Sequence, residues 1–232
     1  MKYPLIAYLD LYSSVLPVTA GLYRWNQLKT NRFGAAFVFA LTSIGAIAEL
    51  GTYWMAINGL HTVWVLHFYH LAEFILLMCV FSFWKLGVKN EDGGGGDAFF
   101  QSSRFFRWSV ALYSVFWLVS KWTFEPWDQP ANYTLNISTF VFILISLFTL
   151  YRLVSQKSKL QDSILRNFQF WITAGVLIYF AGSALDFLFA SQIFKLPPEY
   201  AMSLWTIHWS INVLANILYA YGFVCLIPPR IV

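Results

Sequence analysis

The sequence predicts an all-α membrane protein: a single bundle of seven transmembrane helices, N-terminus outside and C-terminus in the cytoplasm. Three observations predict it. The 232 residues are 59% hydrophobic and only 11% charged, where a soluble domain carries about 25% charged residues. The apolar residues fall in seven runs, at 3–24, 34–57, 62–84, 107–125, 135–155, 168–190 and 201–226. Lys and Arg gather on alternate connections between those runs. A soluble chain of this length has too little interior to hide so much apolar surface, so lipid is the expected solvent.

Each run is long enough to cross a hydrocarbon layer of about 30 Å as a helix. Helices are expected because a backbone in lipid must satisfy its own polar groups. The breaks between runs carry turn residues. Asn58-Gly59 ends the second run, and Asn90-Glu91-Asp92 with the glycines at 93–96 forms a polar turn. Pro126 and Pro130 follow the fourth run, Pro197-Pro198 precedes the seventh, and Pro228-Pro229 comes after it. The chain opens Met-Lys-Tyr-Pro, without a strongly basic leader or a small-residue cleavage site, and reads as an uncleaved first span.

Orientation follows from charge. One set of connections holds Arg24, Lys29, Arg32, Lys85, Lys89, Arg104, Arg107, Arg152, Lys157, Lys159, Arg166 and Arg230, twelve of the fifteen Lys and Arg. Lys2, Lys121 and Lys195 lie on the other side. The richer side is expected in the cytoplasm. Tryptophans mark both interfaces: Trp25, Trp84, Trp108 and Trp171 near the inner boundary, and Trp54, Trp64, Trp122, Trp127, Trp205 and Trp209 near the outer. The net charge of +4 reflects this topology and does not point to nucleic acid. Cys79 and Cys225 fall near inner helix ends and read as buried apolar side chains, not a disulfide. Small residues crowd the second run (Gly34, Ala35, Ala36, Ala40, Gly45) and the sixth (Ala174, Gly175, Ala181, Gly182), which places both runs centrally. No internal repeat divides the chain, which argues against a two-halves transporter.

Ionisable side chains inside a span cost about 2.5–3.5 kcal/mol each at its centre, so their positions carry information. They are Asp10, Glu49, His67, His70, Glu73, Lys121, Asp186 and His208, with the amides Asn136, Asn212 and Asn216. At about 1.5 Å per residue, Asp10, Glu49, His70 and His208 all lie roughly 9–12 Å from the outer ends of their spans. The inner half is nearly free of charge, so a polar cavity opening outward is expected. His67, His70 and Glu73 recur at i, i+3 and i+6, and Trp205, His208, Asn212, Asn216 and Tyr219 form a stripe along the last run. Hydrogen bonds that merely hold the bundle together would also account for the amides. Lys121 and Asp186 lie near an interface, where snorkelling or a mutual salt bridge is the simplest account.

Glu49, His70, Glu73 and His208 have the side chains to hold a divalent metal such as zinc. A haem between histidines of two helices is a further use of the same groups. The last span has no lysine for a Schiff base, which argues against retinal. Seven-helix membrane hydrolases of the superfamily that includes the alkaline ceramidases use two histidines four apart on the last helix. Here the position four after His208 is Asn212, a departure from that pattern.

The run Glu49, Asn58-Gly59-Leu60, His67-Phe-Tyr-His70-Leu-Ala-Glu73-Phe74 resembles a family of uncharacterised bacterial integral membrane proteins of similar length, of Bacteroidetes type. Leu177-Ile-Tyr179-Phe-Ala-Gly182 and Trp205-Thr-Ile-His208 with Asn216-Ile-Leu-Tyr219 fit the same family. The resemblance implies a bacterial inner membrane and a topology, not an activity. The bundle is also similar to seven-helix input modules of bacterial sensor kinases, which implies a signalling partner. The expected role is sensory or ligand-binding, through an outward-facing pocket of Asp10, Glu49, His67, His70, Glu73, Asp186, His208 and Asn212. The rivals are a metal-dependent membrane hydrolase, a proton-coupled transporter and a structural partner subunit.

Overall fold

A computed structural model describes residues 4–30, 34–84, 103–155, 164–193 and 195–226. Lys2, Arg32, Lys85, Lys89, Lys157, Lys159 and Arg230 lie outside the described residues, as do the 90–96 turn and Pro228-Pro229. The described elements are helical, with no strand among them. They are α1 (Leu5–Ser13), α2 (Val15–Tyr23), α3 (Trp25–Thr30), α4 (Ala35–Ile57) and α5 (Val63–Phe83). Then come α6 (Ser103–Thr123), α7 (Asn132–Ser155), α8 (Phe168–Leu188), α9 (Ala190–Ile193) and α10 (Pro198–Val224).

The first apolar run is two helices end to end. Pro17 has no N–H to offer the carbonyl of Ser13, and its ring crowds that carbonyl. Ser13 and Ser14 donate their hydroxyls back to the carbonyls of Asp10 and Leu11, each at 2.8 Å, which loosens the turn further. The break falls at Ser14 and leaves Asp10, Ser13 and Ser14 buried against the bundle. The second run ends where the sequence predicts. Gly59 takes φ 68°, Leu60 donates to the carbonyl of Met55 and Gly59 to that of Ala56. This is a Schellman closure, and it needs a residue that tolerates the left-handed region.

Five segments are long and apolar enough to cross a membrane: Leu5–Tyr23, Ala35–Ile57, Val63–Phe83, Asn132–Ser155 and Phe168–Leu188. This is a multi-pass membrane architecture. α6 and α10 are as long, at 21 and 27 residues, but more polar. α6 carries Arg104, Arg107 and Lys121, and α10 carries Glu199, His208, Asn212 and Asn216.

The helices pack in chain order. The α1–α2 pair lies on α4, α4 on α5, α5 on α6, α6 on α7 and α7 on α8; α8 then packs on α10, and α10 closes the ring on α1 and α2. Between α4 and α5 and between α6 and α7 the connections are short, which makes those helices antiparallel neighbours. α8 and α10 approach closely: a Cβ on Gly175 would sit 2.6 Å from Tyr219, and one on Gly182 2.8 Å from Ile211. The small residues of α8 therefore do what the sequence suggests, and half of its apolar window is buried. Those of α4 do not make it central, since only 28% of its window is buried. α4 forms a wall, with Gly45 against Tyr69 of α5.

Burial is uneven along the bundle. The lower end is where α4 and α8 begin and α5 and α10 finish. There Trp84 packs on Phe168 and Phe168 on Phe223, and at mid-bundle Phe142 packs on Phe74, Phe81 and Phe180. At the upper end, no residue of 47–57 in α4 or 199–214 in α10 is buried as a whole. Large apolar side chains such as Leu112, Val115 and Trp122 of α6 face outward, as expected of a surface solvated by lipid.

Candidate functional site

Three helices meet at one amide. Asn212 of α10 donates through Nδ2 to Asp10 Oδ1 of α1 and to Glu49 Oε1 of α4, each at 2.8 Å. A side-chain amide has two N–H groups, and Asn212 spends one on each carboxyl. The two acceptor oxygens are therefore no further apart than twice that distance. Two full negative charges so placed repel by about 3 kcal/mol at an effective dielectric constant of roughly 20. One turn below, Asn216 donates to the Ser13 hydroxyl at 3.0 Å. Asp10 and Ser13 are three apart on α1, so one helix face presents both to α10.

A second cluster faces the first from α5. Tyr69 donates its hydroxyl to Glu73 Oε1 at 3.0 Å, and His70 Nδ1 lies 3.4 Å from Glu73 Oε2. Between the clusters is a cavity lined by Ser14, Thr42, Glu49, Glu73, Asn212 and Tyr219, among others. Its free volume is about 30 Å³, room for roughly two waters. Glu49 Oε2 is withdrawn from the surface and has no hydrogen-bond partner. Each of those six side chains carries at least one oxygen, so a bound guest would meet oxygen on most sides.

Of the eight pocket residues expected from sequence, the structure brings Asp10, Glu49 and Asn212 into one junction, with Glu73 on the facing wall and His70 behind it. It does not bring in the other three. His67 is 1% exposed, but its Nε2 pairs with the Gln129 carbonyl at 2.9 Å and its ring meets Trp127 edge-on. It serves the connection between α6 and α7. The reason is helical geometry: each step of three residues rotates the side chain by about 60°, so His67 and Glu73 do not share a face. Asp186 is buried, with Oδ2 unpartnered, and it does not line the cavity. His208 turns to α8, where Nδ1 meets the Ser183 hydroxyl at 3.0 Å and the ring lies among Tyr179, Phe187 and Trp205.

Two expectations are corrected here. Lys121 neither snorkels nor pairs with Asp186. It donates to Glu125 Oε2 at 3.1 Å, with both side chains buried. Glu125 also accepts from the backbone N–H of Tyr133, and from the N–H and hydroxyl of Thr134 at 3.1 and 2.8 Å. It therefore caps the start of α7, where free N–H groups and the helix dipole favour a carboxylate. The metal set Glu49, His70, Glu73 and His208 is not assembled either. Among the described residues no three of His, Cys, Asp and Glu form a group able to hold a metal ion. Glu73 is engaged by Tyr69 and His70, and His208 by Ser183.

Sequence reasoning missed Ser14, Thr42 and Tyr69 as cavity residues and Glu125 as a buried partner. Tyr69–Glu73 and Lys121–Glu125 are both i, i+4 pairs, so that signal is present in the sequence. Ser14 and Thr42 have none, because hydroxyls are common in membrane helices and only packing singles these out. No family model, no curated protein and no solved structure matches the chain.

Proposed function

We propose that this is a seven-span protein of the bacterial inner membrane, N-terminus outside and C-terminus in the cytoplasm, whose polar cavity is a ligand-responsive, sensory site. The observation that carries the reading is the Asn212 junction. One side chain of α10 holds α1 and α4 through two carboxyls, at the wall of a cavity that α5 and α8 also line. Whatever changes the charge or bonding of those carboxyls changes how three helices are held together. That is the kind of bistable contact through which a bundle transmits a signal. A cytoplasmic or membrane-embedded signalling partner would receive the output.

Spin labels test it. In a variant lacking Cys79 and Cys225, cysteines replace Ala56 of α4 and Ser203 of α10, both exposed. The distance between the labels, read in nanodiscs, should shift when the medium is acidified or exchanged between sodium and choline salts. The shift should disappear with Glu49→Gln. A distance indifferent to all of these conditions overturns the reading. A fluorescent protein fused after Val232 should light up in a bacterial cytoplasm; a dark fusion beside an active periplasmic phosphatase fusion reverses the orientation. The carboxyl pair also favours one rival, proton-coupled transport. Proton uptake into liposomes above the level of Glu49→Gln would establish that rival.

A further inference from the structure

We propose that the Asp10–Asn212–Glu49 junction binds one monovalent positive charge, delivered as a proton on one of the two carboxyls or as a sodium ion on Glu49. The inference rests on the reading of this cavity as the functional site and names its ligand class.

Charge balance points there first. Asp10 and Glu49 accept from the same amide, and no Lys or Arg forms an ion pair with either among the described residues. The titratable groups around them are Tyr69, His70 and Glu73 on α5, Tyr179 on α8, and His208 and Tyr219 on α10. Of these only a histidine can carry positive charge near neutral pH. His70 is paired to Glu73 and His208 to Ser183. Two carboxylates without a counter-charge are not stable in a low-dielectric interior. The junction therefore requires a positive charge from outside the chain.

An unused acceptor points the same way. Asn212 satisfies Glu49 Oε1, while Oε2 is buried and lines the cavity beside Ser14, whose hydroxyl proton is given to the Leu11 carbonyl. A buried carboxylate oxygen with no donor is costly, and a proton or a cation on that oxygen removes the cost. Size and chemistry then narrow the ligand. A volume of about 30 Å³ suits a small ion with one or two waters. Hydroxyls of Ser14 and Thr42 line the same space, and a hard cation prefers oxygen ligands of this sort.

Two measurements on the purified full chain separate the two sources. Infrared difference spectroscopy at neutral pH reads the carbonyl band of a protonated carboxyl. Thermal melting in sodium, potassium and choline chloride at equal ionic strength reads a bound cation. The proton source predicts a carboxyl band that is lost in Glu49→Gln and in Asp10→Asn, with melting indifferent to sodium. The sodium source predicts a rise in melting temperature in sodium over choline that is lost in Glu49→Gln. No substitution-sensitive band together with no sodium-specific rise overturns the proposal. Should Glu49→Gln fail to fold, Asp10→Asn and the wild-type salt series decide the same question. A bound charge without a change in label distance overturns the sensory reading alone. A distance change without a bound charge overturns this inference alone.

Discussion

At the lower end of the bundle, Trp84 packs on Phe81 and Phe168, and Phe168 on Phe223. At the upper end and the middle, the helices are joined by Asn212 on Asp10 and Glu49, His208 on Ser183, and Glu125 on Lys121 and Thr134. The two regions answer different demands. In lipid, burying apolar surface gains little, because the lipid is itself apolar, so the aromatic end depends on close packing and dispersion. The polar end depends on each donor finding its acceptor, and there Glu49 Oε2, Asp186 Oδ2 and Asn132 Oδ1 are left without a donor. A packed end with no spare capacity suits a fixed base. An end held by a few switchable bonds suits a response.

Substitutions can break or sharpen this contrast. The largest loss is expected at the aromatic end. Phe223 is fully buried, and Phe223→Ala should cost about 3–5 kcal/mol of unfolding free energy, measured in detergent. Glu125→Ala should follow closely, at about 3 kcal/mol, because it strands a buried Lys121 ammonium and uncaps α7; Glu125→Gln, which keeps an acceptor oxygen, should recover part of that. Asn212→Ala removes the donor shared by two carboxyls and should cost about 1–3 kcal/mol. If it costs as much as Phe223→Ala, the junction is structural glue and the contrast between the ends collapses. The smallest effect is expected at the turn after α4. Gly59→Ala forces a Cβ into the left-handed region at φ 68° and should cost about 1 kcal/mol, read as a small drop in melting temperature.

Much of the fold is legible in the sequence because it follows from local pattern. The seven runs reappear as helical segments, shifted by a few residues at their ends. α7, for example, begins at Asn132 rather than 135, because Glu125 caps a turn that hydropathy does not register. Hydropathy does not register the break at Ser14 either, although Pro17 stands in the middle of the first run. The candidate site is legible in its chemistry and depth and less so in its membership. The lower part of the stripe on the last helix holds together, since its steps of four and three offset each other in rotation: Asn212, Asn216 and Tyr219 all reach the cavity. The His67–His70–Glu73 series does not, since repeated steps of three accumulate rotation.

Sequence by itself determined that lipid is the solvent, where the long helices lie, and that ionisable groups concentrate away from the aromatic end. Those are consequences of composition and of period along one helix, and each residue carries its share of them wherever its neighbours are. Only the tertiary structure decided which polar groups meet. Asp10 and Asn212 are 202 residues apart, and Glu49 and Asn212 are 163 apart. Their meeting depends on the ring closing with α10 against α1 and on glycines that let α8 approach α10. Which of eight polar side chains share a cavity is set by the rotation and spacing of whole helices, quantities that belong to pairs of helices and are written in neither one alone.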